Sequence, residues 1–299
     1  MQSTAPSEQL SILQHLLKFI AKHQQTLKWL VYALLVLNFG YYLFDDWRAG
    51  QSTLLPDATF LEIASNYATS LDEVAWFMVL FLLEVETYWM EDDERGFKYW
   101  LMQSVRVLCY LVICHTLYAF IGVVMDLGDA TLLTDVKSVC ALVGQDLSFT
   151  RNLLYEAIEA TNCASLSNGG ALYLFEGEPV VSDVAGYSMA INHAWIDVIE
   201  VSGWLSISLL ITFIVQVQER GIYNSPWIKN ANRMQYFVYA AITGTAIYWA
   251  AYEFYVYTWD ILLWMGGFAA IDANLVEWRD ELEDEDVSNP ELEVTSENV

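Results

Sequence analysis

Apolar residues in this chain come in long blocks, and polar residues gather between the blocks instead of alternating through them. The first block, Trp29–Phe44, ends in the acidic pair Asp45 and Asp46. A second, Val74–Met90, is apolar as far as Leu83 before Glu84 and Glu86 interrupt it. A third runs from Tyr99 to Met125, and a fourth, Val201 to Gln218, carries no charge at all. A fifth helix is expected from near Arg233, where only Gly244 interrupts helix-favouring or aromatic residues before Gly266 and Gly267. A helix crosses hydrocarbon with about 17–25 predominantly apolar residues, so each block is expected to span. The fifth would be about 50 Å long at 1.5 Å per residue and would protrude from the bilayer.

This pattern predicts an all-α fold, a multi-pass transmembrane helical bundle of five spans with a small extracytoplasmic cap. Six short spans result if the last helix breaks near Glu253. The divisions are 1–28 (a cytoplasmic amphipathic helix), 29–125 (spans one to three), 126–192 (the cap), 193–271 (spans four and five) and 272–299 (an acidic tail). In the first, Leu10, Leu13, Leu16, Leu17 and Ile20 share one helical stripe while Lys18, Lys22 and His23 lie off it, which suits a helix on the inner membrane surface. Within the cap, 145–162 reads as one helix and 167–183 as turn-rich extended chain. The segment is short for a core of its own. The tail from about Val287 is expected to be disordered.

Basic residues set the orientation. Lys18, Lys22, Lys28, Arg95, Lys98, Arg220, Lys229 and Arg233 fall on one side of a five-span topology and outnumber Arg48, Lys137, Arg151 and Arg279 on the other. By the positive-inside rule the amino terminus is cytoplasmic and the cap and tail lie outside, in a bacterial inner membrane or plasma membrane. The net charge of −25 excludes nucleic acid as a partner, since phosphates need a basic face. The expected partners are the lipid bilayer, cations and further copies of the chain, because five spans alone make a thin pore. Cys140 and Cys163 fit a disulfide in an outward-facing loop, worth about 3 kcal/mol in the chain-entropy model; two free thiols are the alternative. Cys109 and Cys114 read as small hydrophobes inside a helix.

Three constellations could carry chemistry. Glu84 and Glu86 lie below the surface of the second span, with Arg106 at similar depth on the third. One acid would pair with Arg106, leaving the other protonated or facing water; the alternative is an ion pair that fixes helix register. His193, Asp197 and Glu200 share one helical face above the fourth span and offer ligands for a divalent metal, or they sit in a wet interface. Trp249, Glu253, Tyr257, Asp260 and Trp264 repeat at helical spacing along the fifth helix. With Asp197 and Glu200, the acids Glu253 and Asp260 would form an outer acidic mouth that concentrates cations. Asp45, Asp46, Asp72, Glu73, Asp126 and Asp129 map to the same end. His115, alone in the third span, is expected to be a neutral histidine hydrogen-bonded between helices. The chain has no phosphate-binding glycine loop, no H-E-x-x-H and no selectivity-filter signature. The first expectation is therefore an oligomeric, channel-like protein for cation or proton permeation, without a cofactor. The alternatives are a structural or sensory subunit of a membrane complex, and a membrane-embedded enzyme dependent on a divalent metal.

Overall fold

A computed structural model describes residues 6–89, 96–218, 220, 222 and 225–268, with side chains in the first helix described from Trp29 on, together with Thr26. The chain forms two compact units, one of residues 1–38 with 259–299 and the other of residues 39–258. In the smaller, Asn38 donates to the buried Asp260 carboxylate at 2.8 Å.

Helix α1 (Pro6–Thr53) is continuous, so the expected amphipathic helix and first apolar block belong to one element. The side chains of the amphipathic stripe lie outside the described residues. α2 (Phe60–Asn66) is a single short helix closed by a capping box: Thr59 Oγ1 accepts from Glu62 N–H, and the Glu62 carboxylate accepts from Thr59 N–H. α3 (Ala68–Trp89) and α4 (Phe97–Gly128) follow. The chain then leaves the helical layer, and the all-α reading fails here. Residues 131–183 hold a five-stranded mixed sheet, β1 (Thr131–Leu133), β2 (Ser148–Arg151), β3 (Leu154–Ala157), β4 (Leu172–Leu174) and β5 (Val180–Asp183), in the order β1-β4-β5-β2-β3. β2 runs parallel to β5, and every other pair is antiparallel. A short helix, α5 (Cys163–Leu166), joins β3 to β4. α6 (Val184–Gln218) and α7 (Pro226–Ala251) complete the unit.

The segment 145–162, expected to be helical, is instead a β-hairpin. Its two-residue turn, Asn152-Leu153, takes φ of 52° and 57°, the conformation of a type I′ turn. β2 buries Ser148, Phe149 and Thr150 between β5 and β3. This central position overrides the helix propensity of Leu, Tyr, Glu and Ala nearby. The cap has a core of its own, with Val139, Leu142, Phe149, Ile158, Leu172 and Val181 buried together. A disulfide joins the exposed Cys140 to Cys163, itself a buried member of that core.

The five-span expectation is also overturned. Among the described residues, two helices are long and apolar enough to cross a membrane, α4 and α6. α3 carries Asp72, Glu73, Glu84 and Glu86 within its length, a load that hydrocarbon tolerates poorly. α7 carries Lys229, Arg233 and Gln235 in its first turns. It also stops at Ala251 instead of running on to Gly266. There Glu253 adopts φ 69°, Phe254 N–H bonds to Trp249 C=O at 2.9 Å and Glu253 N–H to Ala250 C=O at 3.2 Å. This is a Schellman motif with glutamate where glycine is usual, and the accompanying apolar contact is Phe254 against Trp249.

In the larger unit α3 packs on α4, α4 on α6, and α6 on α7. Gly203 lets α6 and α7 approach closely, since a Cβ there would stand 2.8 Å from Ile242 Cγ1. At the other end of α6, Asp183 caps the helix by accepting from Gly186 N–H at 2.8 Å, and it also accepts from Arg151 and from Asn168. Strand β5 thus passes directly into α6.

Candidate functional site

The polar residues of the larger unit converge where the β2–β3 turn meets α6 and the end of α7. His193 is 1% exposed. Its Nδ1 lies 2.8 Å from Tyr248 Oη and its Nε2 lies 3.0 Å from Asn152 Oδ1. The Asn152 amide is oriented by its other end, because Nδ2 donates to the Tyr252 carbonyl at 3.4 Å. Oδ1 must then accept, so Nε2 carries the histidine proton and Nδ1 accepts from the Tyr248 hydroxyl. One neutral tautomer satisfies all three groups. The rings of Trp249, Tyr252 and Phe254 close around the imidazole at centroid distances of 5.0–5.8 Å.

Carboxylates surround this node and accept from neutral donors. Trp249, itself buried, donates its indole N–H to Glu200 at 3.0 Å. Tyr257 donates its hydroxyl to Asp45 at 2.7 Å. Asp46 accepts from Ser70 N–H and Oγ–H at 3.0 and 2.6 Å. Tyr155, on β3, is pushed well above the ordinary tyrosine range by burial and by the charges of Glu178, Asp45 and Asp197. Glu178, in the β4–β5 turn, is pushed up to about 7 by burial, with Asp126 adding to it. Asp183 behaves oppositely: burial pushes its carboxyl up, but Gly186 N–H, Arg151 and Asn168 together hold it below the usual range.

The expected site residues separate. His193 and Glu200 belong to this network, and Asp197 lies close enough to Glu200 and Tyr155 to act on them electrostatically. Both ring nitrogens of His193 are engaged, and among the described residues no three His, Cys, Asp or Glu side chains gather closely enough to hold a metal. The acids of the expected mouth fall in both units. Glu253 is an exposed cap residue, and Asp260 belongs to the smaller unit, where Asn38 donates to it. The side chains of Glu84 and Glu86 lie outside the described residues, so the pairing expected with Arg106 does too. His115 Nε2 is buried without a hydrogen-bond partner among the described residues.

Asn152, Tyr155, Glu178 and Tyr248 are the members of the network that sequence reasoning passed over. Asn152 is 41 positions from His193 and Tyr248 is 55, so no local spacing links them. The one local signal was Asn152 itself, an asparagine at the centre of a segment otherwise rich in helix formers. No protein-family model matches the chain, and no curated protein or solved structure is detectably similar to it.

Proposed function

We propose that this chain is a membrane-anchored structural or sensory subunit, in which an extracytoplasmic cap is latched to the helices α6 and α7. The observation that carries this reading is Asn152, which ties the tip of the cap hairpin to His193 on α6 and to the Tyr252 carbonyl at the end of α7. That one side chain adds a link from the cap to the end of α7, beside the direct passage of β5 into α6. Of the side chains a pore mouth or a metal centre would use, His193 is engaged by Tyr248 and Asn152, Glu200 by Trp249 and Asp260 by Asn38. The Cys140–Cys163 bridge supports placing the cap outside the cytoplasm, because disulfides persist in oxidising compartments. With α4 entering the cap and α6 leaving it, both apolar helices then descend from the cap to the inner side, in keeping with an amino terminus in the cytoplasm.

The test is a pair of measurements on the full chain reconstituted in vesicles. Proton and potassium flux should match that of empty vesicles, and Asn152→Ala should speed hydrogen exchange in β2–β3 while leaving α4 protected. A saturable flux abolished by Asp197→Asn would overturn this reading in favour of permeation.

A further inference from the structure

We infer that Asn168 is a site of spontaneous deamidation, and that the carboxylate it yields loosens the start of α6. Asn168 is the one asparagine of the chain that precedes a glycine. With no Cβ on Gly169, its backbone nitrogen can approach the asparagine Cγ, a step that bulkier residues obstruct.

The surroundings leave that step open. Asn168, Gly169 and Gly170 are exposed, and a Cβ built on Gly169 or Gly170 would meet nothing within 4 Å. Among the described residues, Gly169 N–H donates to no backbone carbonyl, so its nitrogen is free to react. The fold also keeps the labile pair in place. Gly169 sits at φ 68°, where glycine rests without strain. The loop is fixed at both ends, since Ser167 Oγ accepts from Val139 N–H at 2.9 Å and Leu172 pairs with Asp183 on β5.

In the reaction the Gly169 nitrogen gives its proton to water and attacks Asn168 Cγ. The Cγ–Nδ2 bond breaks, ammonia leaves, and a five-membered succinimide closes. Water then adds to either ring carbonyl and opens the ring. The product is aspartate, or isoaspartate, in which the main chain runs through the former side chain. In sum, an amide and water give a carboxylate and ammonium, and no oxidant or reductant is needed.

The consequence falls on Asp183. Asn168 Nδ2 donates to Asp183 Oδ2 at 3.0 Å, and Arg151 donates to the same oxygen. The other oxygen, Oδ1, accepts from Gly186 N–H at 2.8 Å and so caps α6. After deamidation a carboxylate stands where a donor stood. One hydrogen bond is lost and two like charges meet beside a residue that is 6% exposed. Arg151 can neutralise one of the two. The passage from β5 into α6 is therefore the element that loosens.

The experiment ages the full chain in mildly alkaline buffer made with heavy-oxygen water and follows residue 168 by peptide mass spectrometry. Peptides containing Asn168 should lose the amide nitrogen and gain heavy oxygen, while Asn152 and Asn162 stay intact. As product accumulates, hydrogen exchange at Gly186 should quicken about tenfold, as expected for the loss of one net hydrogen bond. Asn168→Asp should show the same quickening without ageing. Adding Asp183→Asn to it should slow exchange again, because the donor then stands on the other side of the contact. An intact Asn168 in the folded chain, under conditions where the excised peptide deamidates, would overturn the site. Deamidation with unchanged exchange at Gly186, in the aged protein and in Asn168→Asp alike, would overturn the link to α6. Quickening spread evenly from β1 to β5 would overturn a local effect at the start of that helix.

Discussion

The cap is held by apolar packing and a covalent bridge, whereas the cap-side end of the α6–α7 seam adds a chain of buried hydrogen bonds around His193 to its apolar contacts. In the cap, Val139, Phe149, Leu172 and Val181 exclude water together, and Cys140–Cys163 shortens the loop outside them. Burial of this kind is distributed, so no one contact decides it. In the seam, Asn152, His193, Tyr248 and the Tyr252 carbonyl form a single chain of donors and acceptors. Losing one member strands the others in a buried site. The two regions should accordingly respond to opposite perturbations.

The largest expected effect is in the seam. His193→Ala removes a fully buried ring and leaves Asn152 Oδ1 and Tyr248 Oη unpaired, at a cost of about 4 kcal/mol from cavity and polar terms together. Hydrogen exchange should quicken at the end of α7 and the tip of β2–β3, while β4 and β5 keep their protection. Equal loss of protection throughout the cap would break the comparison, because it would make the cap dependent on the seam. The reverse experiment is reduction of the disulfide, or Cys140→Ser with Cys163→Ser, which should cost about 3 kcal/mol for a loop of this length. That loss should appear in the cap, with the environment of the Trp249 indole unchanged.

A smaller effect is expected at the join between cap and α4, and it is read through pH. Glu178 has its carboxyl pushed up to about 7 in the folded protein, against about 4.3 for a free glutamate. The folded state therefore holds this proton more tightly than the unfolded chain. The associated stability is complete below about pH 4.3 and is lost as pH rises through 7. Thermal unfolding between pH 5 and 8 should show wild type weakening as pH rises and Glu178→Gln weakening less. Asp183, held low, acts in the other direction, since its contribution is lost only as pH falls below the ordinary carboxylate range. Identical pH profiles for wild type and Glu178→Gln would remove Glu178 from the account.

The sequence made some of these elements visible and concealed others for identifiable reasons. The uncharged run of α6 and the apolar length of α4 announce themselves, because composition alone sets the cost of placing a helix in lipid. Gly177 and the acidic turn around it mark 167–183 as extended, and β4 and β5 lie there. The β2–β3 hairpin was concealed because its turn uses Asn152-Leu153 in place of a glycine pair, and because β2 owes its place to β5, distant in sequence. His193 stood out as a candidate ligand, yet its role depends on partners that only the fold supplies. Acidic residues at the ends of the apolar blocks suggested a common mouth, a reading that counts charges without their donors. Tyr257 and Trp249 turn two such positions, Asp45 and Glu200, into internal acceptors.

The smallest expected effect concerns the end of α7, where the seam's backbone is shaped by a residue poorly suited to its conformation. Glu253 occupies the left-handed region at φ 69°, which costs a residue with a Cβ about 1 kcal/mol relative to glycine. Its side chain is exposed, while its N–H and that of Phe254 close the Schellman motif that ends the helix. Those bonds belong to the backbone and survive substitution. Glu253→Gly should therefore relieve the strain, although added freedom in the unfolded chain takes back part of the gain. The net stabilisation should be about 0.5 kcal/mol, read as a small rise in melting temperature with hydrogen exchange at Tyr252 and Phe254 slowed. A drop in stability instead would mean that the glutamate side chain itself holds the end of α7. The seam would then depend on an exposed charge as well as on its buried hydrogen bonds, and the contrast with the cap would have to include it.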